Sequence, residues 1–277
     1  MKVGSFFTGY GGLDIAVGGE LQWYAEIEPA ACQVLAAHYP DVPNLGDMTK
    51  IDWTSVPPVD ILTGGYPCQP FSHAGNRKGK DDERHLWPYV RSAIDALRPR
   101  YAILENVAGH LTLGLADVLS DLASIGYDAE WGTYKASDVG APHGRKRLFI
   151  VAHPNSSRHG KQQDATGMEN VDGRYAFETQ ERERSWAVTD TGSTWGKYEP
   201  AIRRWEALTR EVPEPTVPHK DKRRLNPAFV EWMMGLPAGH VTGHGLSAAK
   251  ELKMLGNGVV PQQARSAVTQ LMERITQ

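Results

Sequence analysis

Gly64-Gly65-Tyr66-Pro67-Cys68-Gln69-Pro70-Phe71-Ser72 follows the apolar run Val59-Asp60-Ile61-Leu62. The run reads as a short buried strand, and the Gly/Pro-rich stretch as the turn that ends it. A thiol on a turn at a strand's carboxyl end stands where α/β enzymes place reactive groups. A lone cysteine is also an ordinary small buried hydrophobe, so neighbouring motifs must decide between these readings.

Working outward, Lys2–Thr8 reads as a strand running into the glycine turn Gly9-Tyr10-Gly11-Gly12, and a helix opens from Gly12 to about Val17. Trp23–Ile27 reads as a second strand with Glu26 at its end, before a helix from Pro29 to Ala37. Further strands are expected at 59–63, 100–104, 128–134 and 147–152, with helices at 86–97 and 115–125. Strands alternating with helices of this length predict an α/β fold, a doubly wound, mostly parallel sheet with its site at the strands' carboxyl ends.

After His153 the composition shifts to Ser, Thr, Gly, Gln, Glu and Arg with little periodicity up to about Lys222, punctuated by Trp186, Trp195 and Trp205. This stretch reads either as a flexible insertion or as a small irregular domain that recognises a substrate. In Arg224–Pro237, apolar residues at 229, 230, 233 and 234 share one helical face, and Gly235 ends the helix. A last helix over Pro261–Ile275 should return to the catalytic unit.

The chain has 277 residues, a net charge of −3, 40% apolar and 23% charged residues. Those values fit one α/β domain with a small appendage and exclude a wholly basic nucleic-acid coat, so any DNA-binding surface must be local. No apolar run reaches the roughly 20 residues that span a bilayer, and Met1-Lys2-Val3 leads straight into a strand with no signal peptide. The two cysteines, Cys32 and Cys68, form neither a disulfide framework nor metal-ligand spacing. A cytoplasmic, membrane-free and metal-free monomer is expected.

Three further motifs set the chemistry beside Cys68. Glu105-Asn106-Val107 ends the apolar stretch Tyr101–Leu104, where partial burial would raise a carboxyl pKa. Arg145-Lys146-Arg147 precedes the strand Leu148–Val151, and alternation would place both arginines on one face. Gly256-Asn257-Gly258-Val259 lies near the C-terminus.

With Phe7-Thr8-Gly9-Tyr10-Gly11-Gly12-Leu13, this order resembles the DNA (cytosine-5) methyltransferases, in their prokaryotic or phage form, over most of the chain except about 154–222. The resemblance implies S-adenosylmethionine as cofactor and double-stranded DNA as partner, and leaves room for a cognate restriction endonuclease. It implies a catalytic domain of residues 1–153 plus 247–277 and a target-recognition domain of 154–246. Cys68 would add to carbon 6 of a flipped cytosine, Glu105 would share a proton at N3, and Arg145 and Arg147 would orient Glu105 and contact the cytosine carbonyl or a phosphate.

By the same resemblance, the glycine turn cradles the cofactor, Glu26 takes the ribose hydroxyls and Asp47 the adenine amino group. Phe7, Ile27, Met48 and Leu86 form apolar walls; Gly65 and the Asn257-Gly258-Val259 segment complete the pocket, with Asn257 at the methionine portion. Tyr66, Pro67, Gln69 and Ser72 flank the base. Arg77, Lys78 and Lys80 lie on a lid that meets phosphates.

Three departures from the family pattern stand out. Ser5 replaces a frequent acid, Gly258 a small Ser or Ala, and His143 the usual Gln. The first two are expected to be permissive, altering cofactor affinity only; His143 puts the base-flanking contact in question. The rivals are a tRNA cytosine-5 methyltransferase, which the long insert disfavours, and a non-catalytic DNA-binding regulator, against which the intact Cys68, Glu105, Arg145 and Arg147 count.

Overall fold

A computed structural model describes residues 1–67, 86–155 and 195–277. Cys68, Gln69, Ser72, Arg77, Lys78 and Lys80 lie outside the described residues, as does Trp186.

Six strands form one sheet in the order β2-β1-β3-β4-β6-β5. They are β1 (Lys2–Phe6), β2 (Glu20–Ala25), β3 (Ile61–Gly64), β4 (Tyr101–Val107), β5 (Tyr127–Tyr134) and β6 (Arg147–Pro154). The first four pair in parallel, while β6 runs antiparallel to both β4 and β5. The β5–β6 connection holds only a short 3₁₀ turn, Ala136–Val139, so the chain reverses there instead of crossing over. Two boundaries differ from the sequence reading. β1 stops at Phe6 because Phe7 takes φ +52°, and β2 stops at Ala25, leaving Glu26 and Ile27 just beyond it.

Strand alternation sends successive side chains to opposite layers. Phe6, Leu62, Leu104, Leu148 and Ile150 pack with α3 (Trp87–Leu97) and α4 (Leu115–Ser124). Val3, Ile61, Ile103, Phe149 and Val151 pack instead with α1 (Gly12–Val17) and the C-terminal α8 (Pro261–Ile275). The strand order reverses between β1 and β3, which opens a crevice at their carboxyl ends.

A third apolar cluster joins α2 (Pro29–His38) and α7 (Ala248–Asn257) to Ile202, Trp205, Trp232, Met234, Leu236 and Val241. Residues 195–246 thus share a core with the sheet unit instead of owning one. The stretch read as irregular contains a ten-residue helix, α5 (Glu199–Leu208), whose Ile202 and Trp205 are buried three residues apart. After it come an exposed hairpin, β7 (Thr216–His219) with β8 (Lys222–Leu225), and α6 (Pro227–Met233). The buried face of α6 is also not the expected one: Glu231 and Trp232 point inward, whereas Phe229, Val230 and Met233 are half-buried.

Glu231 organises this region. Its carboxylate is fully buried and accepts from the backbone N–H groups of Gly239 (2.9 Å), Val241 (2.6 Å) and Thr242 (2.9 Å) and from the Thr242 hydroxyl (3.1 Å). Four donors offset the cost of burying the charge. Glu231→Ala should strand the three N–H groups and cost about 3–5 kcal/mol in urea unfolding, with a smaller loss for Glu231→Gln. An alanine variant within about 1 kcal/mol of wild type would refute this role.

Candidate active site

The crevice between β1 and β3 is lined by the glycine turn, by Glu26, Glu28, Gly65 and Glu105, and by one face of α7 that carries Lys250, Lys253, Met254 and Asn257. Of the residues expected at the cofactor, Phe7, Thr8, Gly9, Gly12, Leu13, Glu26, Gly65, Asn257, Gly258 and Val259 line this pocket. Gly9 (φ +59°) and Gly11 (φ +79°) take backbone shapes that side chains disfavour, and a Cβ at Gly9 would meet nothing within 4 Å. The turn therefore presents bare backbone to the pocket.

Glu26 closes the turn from the other side. One carboxylate oxygen accepts from Gly9 N–H (2.9 Å), the other from the N–H groups of Ile27 and Glu28 (2.8 Å each). Ile27, expected as an apolar wall, is 68% exposed beside it and does not line the pocket. Asp47 is committed locally: it accepts from Thr49 N–H (3.0 Å) and hydroxyl (2.7 Å) and pairs with Lys50 at 3.2 Å, and the Thr49 bonds chiefly hold its carboxyl below the usual range. Met48 is buried in the core, and Leu86 caps α3.

Glu105 sits near the end of β4, 8% exposed, and its Oε1 lies 2.9 Å from Arg147 Nε. Burial pushes its carboxyl up to about 7 despite the opposing charges of Arg147 and Arg145. A Cβ on Gly65 would lie 3.3 Å from Glu105 Oε2, so the bare turn after β3 is what leaves that oxygen room. Beside it, Asn106 Nδ2 donates to the Tyr66 carbonyl (3.1 Å), and the Tyr66 hydroxyl bonds His110 at 2.8 Å. The turn that leads to Cys68 is thus tied to the residue next to Glu105.

The two arginines part company. Arg147 opens β6 and faces Glu105, but Arg145 has φ +22° and lies before the strand, so simple alternation does not hold. Its guanidinium donates to the carbonyls of Gly256 (2.8 Å) and Gly258 (2.5 Å), and its own carbonyl accepts from Gln263 at 2.9 Å. His143 bonds the Met233 carbonyl (2.9 Å), and burial, the leading cause, lowers its pKa, so the neutral ring fastens the end of α6.

Tyr10 was expected in the cofactor set, yet it is 1% exposed and does not line the pocket. Its hydroxyl donates to the Val259 carbonyl at 2.6 Å, and a Cβ at Gly258 would fall 1.9 Å from its ring. Glycine at 258 thus goes with Tyr10, which fills the volume that Ser or Ala would need. Asp14, Glu28, Lys250, Lys253 and Met254 were missed in the sequence. For the last three, the 3–4–7 spacing from Lys250 to Asn257 was the available signal.

Among the described residues no cluster of His, Cys, Asp or Glu could hold a metal ion. Nor is any described helix long and apolar enough to cross a membrane.

The sequence profile of the C-5 cytosine-specific DNA methylases matches residues 1–169. The chain belongs to that family. It is 40% identical over 139 residues to the type II methyltransferase M.NlaIV of Neisseria lactamica, covering 46% of this chain and 33% of the relative. It is 38% identical over 148 residues to M.NgoBV of Neisseria gonorrhoeae, covering 49% and 35%. The matched stretch thus spans about a third of these curated relatives. The Schizosaccharomyces pombe Dnmt2 methyltransferase shares the fold over 100% of both chains, with a TM-score of 0.65 at 16% identity.

The Tyr10–Gly258 fit gives a coupled prediction. Gly258→Ala should lower the melting temperature, and Tyr10→Leu should restore much of that loss by vacating the space, measured as a double-mutant cycle of thermal unfolding. Additive losses would show that the two positions do not compete.

Proposed function

We propose that this methylase-family chain transfers a methyl group from S-adenosylmethionine to carbon 5 of a flipped cytosine in double-stranded DNA. The observation that carries the reading is Glu105: a buried carboxyl raised to about 7, beside Arg147 and a turn two residues upstream of Cys68, next to a glycine-cradled pocket. The bare backbone at Gly9, the Glu26 carboxylate and Asn257 on α7 fit the cofactor. When bound, it supplies an electrophilic methyl group.

Cys68 as thiolate adds to carbon 6 of the ring, which makes carbon 5 an enamine-type nucleophile. Glu105 shares its proton with N3 as negative charge builds there, a task that suits a carboxyl titrating near neutrality. Arg147 holds that carboxyl in place. After methylation a solvent water takes the proton from carbon 5, the thiolate is expelled, and N3 returns its proton to Glu105, restoring the ring. Arg145 acts as a positioning residue by fixing the Gly256–Gly258 carbonyls against the pocket. Residues 154–246 choose the DNA sequence, and Lys222, Arg223 and Arg224 on the exposed hairpin supply positive charge.

Cys68→Ser should abolish transfer and the stable adduct with 5-fluorocytosine DNA while leaving cofactor binding intact. An adduct at Cys32, or an active serine variant, would sink the assignment. Bisulfite sequencing of DNA from expressing cells tests the substrate.

Glu105→Gln should lower single-turnover rates by about 10²–10⁴-fold. Because the raised carboxyl must be protonated to donate, wild-type kcat/KM should fall as pH rises through about 7, and the glutamine variant should lose that limb. A wild-type profile that rises through that range would overturn the proton-donor role.

A further inference from the structure

Asp14, in the first turn of α1, is a second buried carboxylate at the pocket, and the reaction above leaves it without a task. It is 8% exposed and lines the pocket floor with Ser5, Gly64 and Gly65. Its Oδ2 accepts from the Ser5 hydroxyl at 3.0 Å, and its Oδ1 accepts a short hydrogen bond from the Thr63 hydroxyl. Ser5 and Thr63 sit opposite each other on β1 and β3, and Thr8 donates in turn to Ser5 (3.0 Å).

Three hydroxyls form an unusual setting for a buried negative charge. Among the described residues no Lys, Arg or His pairs with Asp14, and burial pushes its carboxyl up to about 6 against the pull of the Thr63 and Ser5 bonds. A buried carboxylate is stabilised most by a hydrogen-bonding cation. The described residues provide no metal-binding cluster, so an ion is a poor candidate. The pocket itself is the remaining source.

We propose that Asp14 recognises the positively charged amino group of the cofactor's amino-acid portion. The proposal rests on reading the pocket as the S-adenosylmethionine site. An ammonium brings N–H donors that match the carboxylate's remaining lone pairs, whereas a sulfonium brings charge without donors. The hydroxyls of Ser5, Thr8 and Thr63 do not titrate in the working range. The other ionisable groups lining the pocket are Glu26, Glu28, Glu105, Lys250 and Lys253.

Calorimetry on the full chain tests this with two probes. S-adenosylhomocysteine carries the amino-acid portion; methylthioadenosine shares the adenosine and sulfur but lacks it. Asp14→Asn should weaken S-adenosylhomocysteine binding about tenfold or more and leave methylthioadenosine unchanged. Because Ser5 Oγ lies 3.0 Å from the carboxylate, the double variant Ser5→Asp with Asp14→Asn should recover the preference.

The wild-type chain offers a test that needs no Asp14 variant. As pH falls through about 6, Asp14 takes up a proton, so affinity for S-adenosylhomocysteine should drop while that for methylthioadenosine stays flat. The same acid limb in Glu105→Gln assigns it to Asp14 and not to Glu105. Equal losses for both ligands in Asp14→Asn, or an S-adenosylhomocysteine affinity flat across that pH range in wild type, would overturn the proposal. A wild-type chain that binds neither ligand would overturn the cofactor reading itself.

Discussion

Tyr10 is the point on which the site depends. Its ring sits against Gly12 and Gly258, its hydroxyl donates to the Val259 carbonyl, and its own carbonyl bonds His240 at 2.7 Å. One residue, through its side chain and its backbone carbonyl, thereby joins the N-terminal glycine turn, the segment between α7 and α8, and the loop held by Glu231. These partners lie 230 and 249 residues away along the chain. Burial pushes the Tyr10 hydroxyl far above its ordinary pKa, so it remains a donor throughout the working range. His240, 3% exposed and stacked on His38 with ring centroids 4.2 Å apart, has its pKa lowered to about 4, first by burial. Neutral partners are what a dry junction requires, because a charge there would lack solvent.

The same reasoning separates the two carboxylates of the pocket. Glu105 and Asp14 are both 8% exposed, on the α1–α8 side of the sheet, and both are raised. Glu105 has an arginine at 2.9 Å and still titrates near 7, so burial outweighs a close ion pair. Asp14 is held by the Thr63 and Ser5 hydroxyls and a backbone hydrogen bond, and burial raises it to about 6. Both shifts run the same way, and the two roles proposed above rest on a difference of partners: Glu105 lies beside Arg147, whereas among the described residues no Lys, Arg or His pairs with Asp14.

Much of the scaffold was legible because it follows local rules. Apolar runs gave the four parallel strands, two of them leading into glycine turns, and the Pro261–Ile275 helix has the bounds its pattern suggested. The burial of Glu105 was readable because it follows from Tyr101–Leu104 immediately before it. What escaped the sequence was contact between distant positions. Gly258 looked like a tolerated substitution, and nothing near it in sequence placed the Tyr10 ring in its Cβ site. Ser5 looked like the loss of an acid, but the carboxylate at that point comes from Asp14, nine residues later on the facing helix. Trp205 was visible as an isolated aromatic, yet its indole N–H bonds the Trp232 carbonyl at 2.9 Å, which no window around α5 contains.

The arginines show why a motif can be read correctly as a unit and still hide a division of labour. Alternation assumes extended backbone, and Arg145 breaks it with φ +22°. Its guanidinium instead meets the Gly256 and Gly258 carbonyls, at the end of α7 where the helix leaves carbonyl groups needing donors. Arg147, at the first residue of β6, stays with Glu105. Two cations two residues apart thus have different partners: one holds the Glu105 carboxyl, the other the Gly256–Gly258 wall of the pocket. Gln263 on α8 also grips the Arg145 carbonyl at 2.9 Å, so the triplet is tied to both α7 and α8. The pocket wall and the Glu105 carboxyl are in this way both fastened from one triplet.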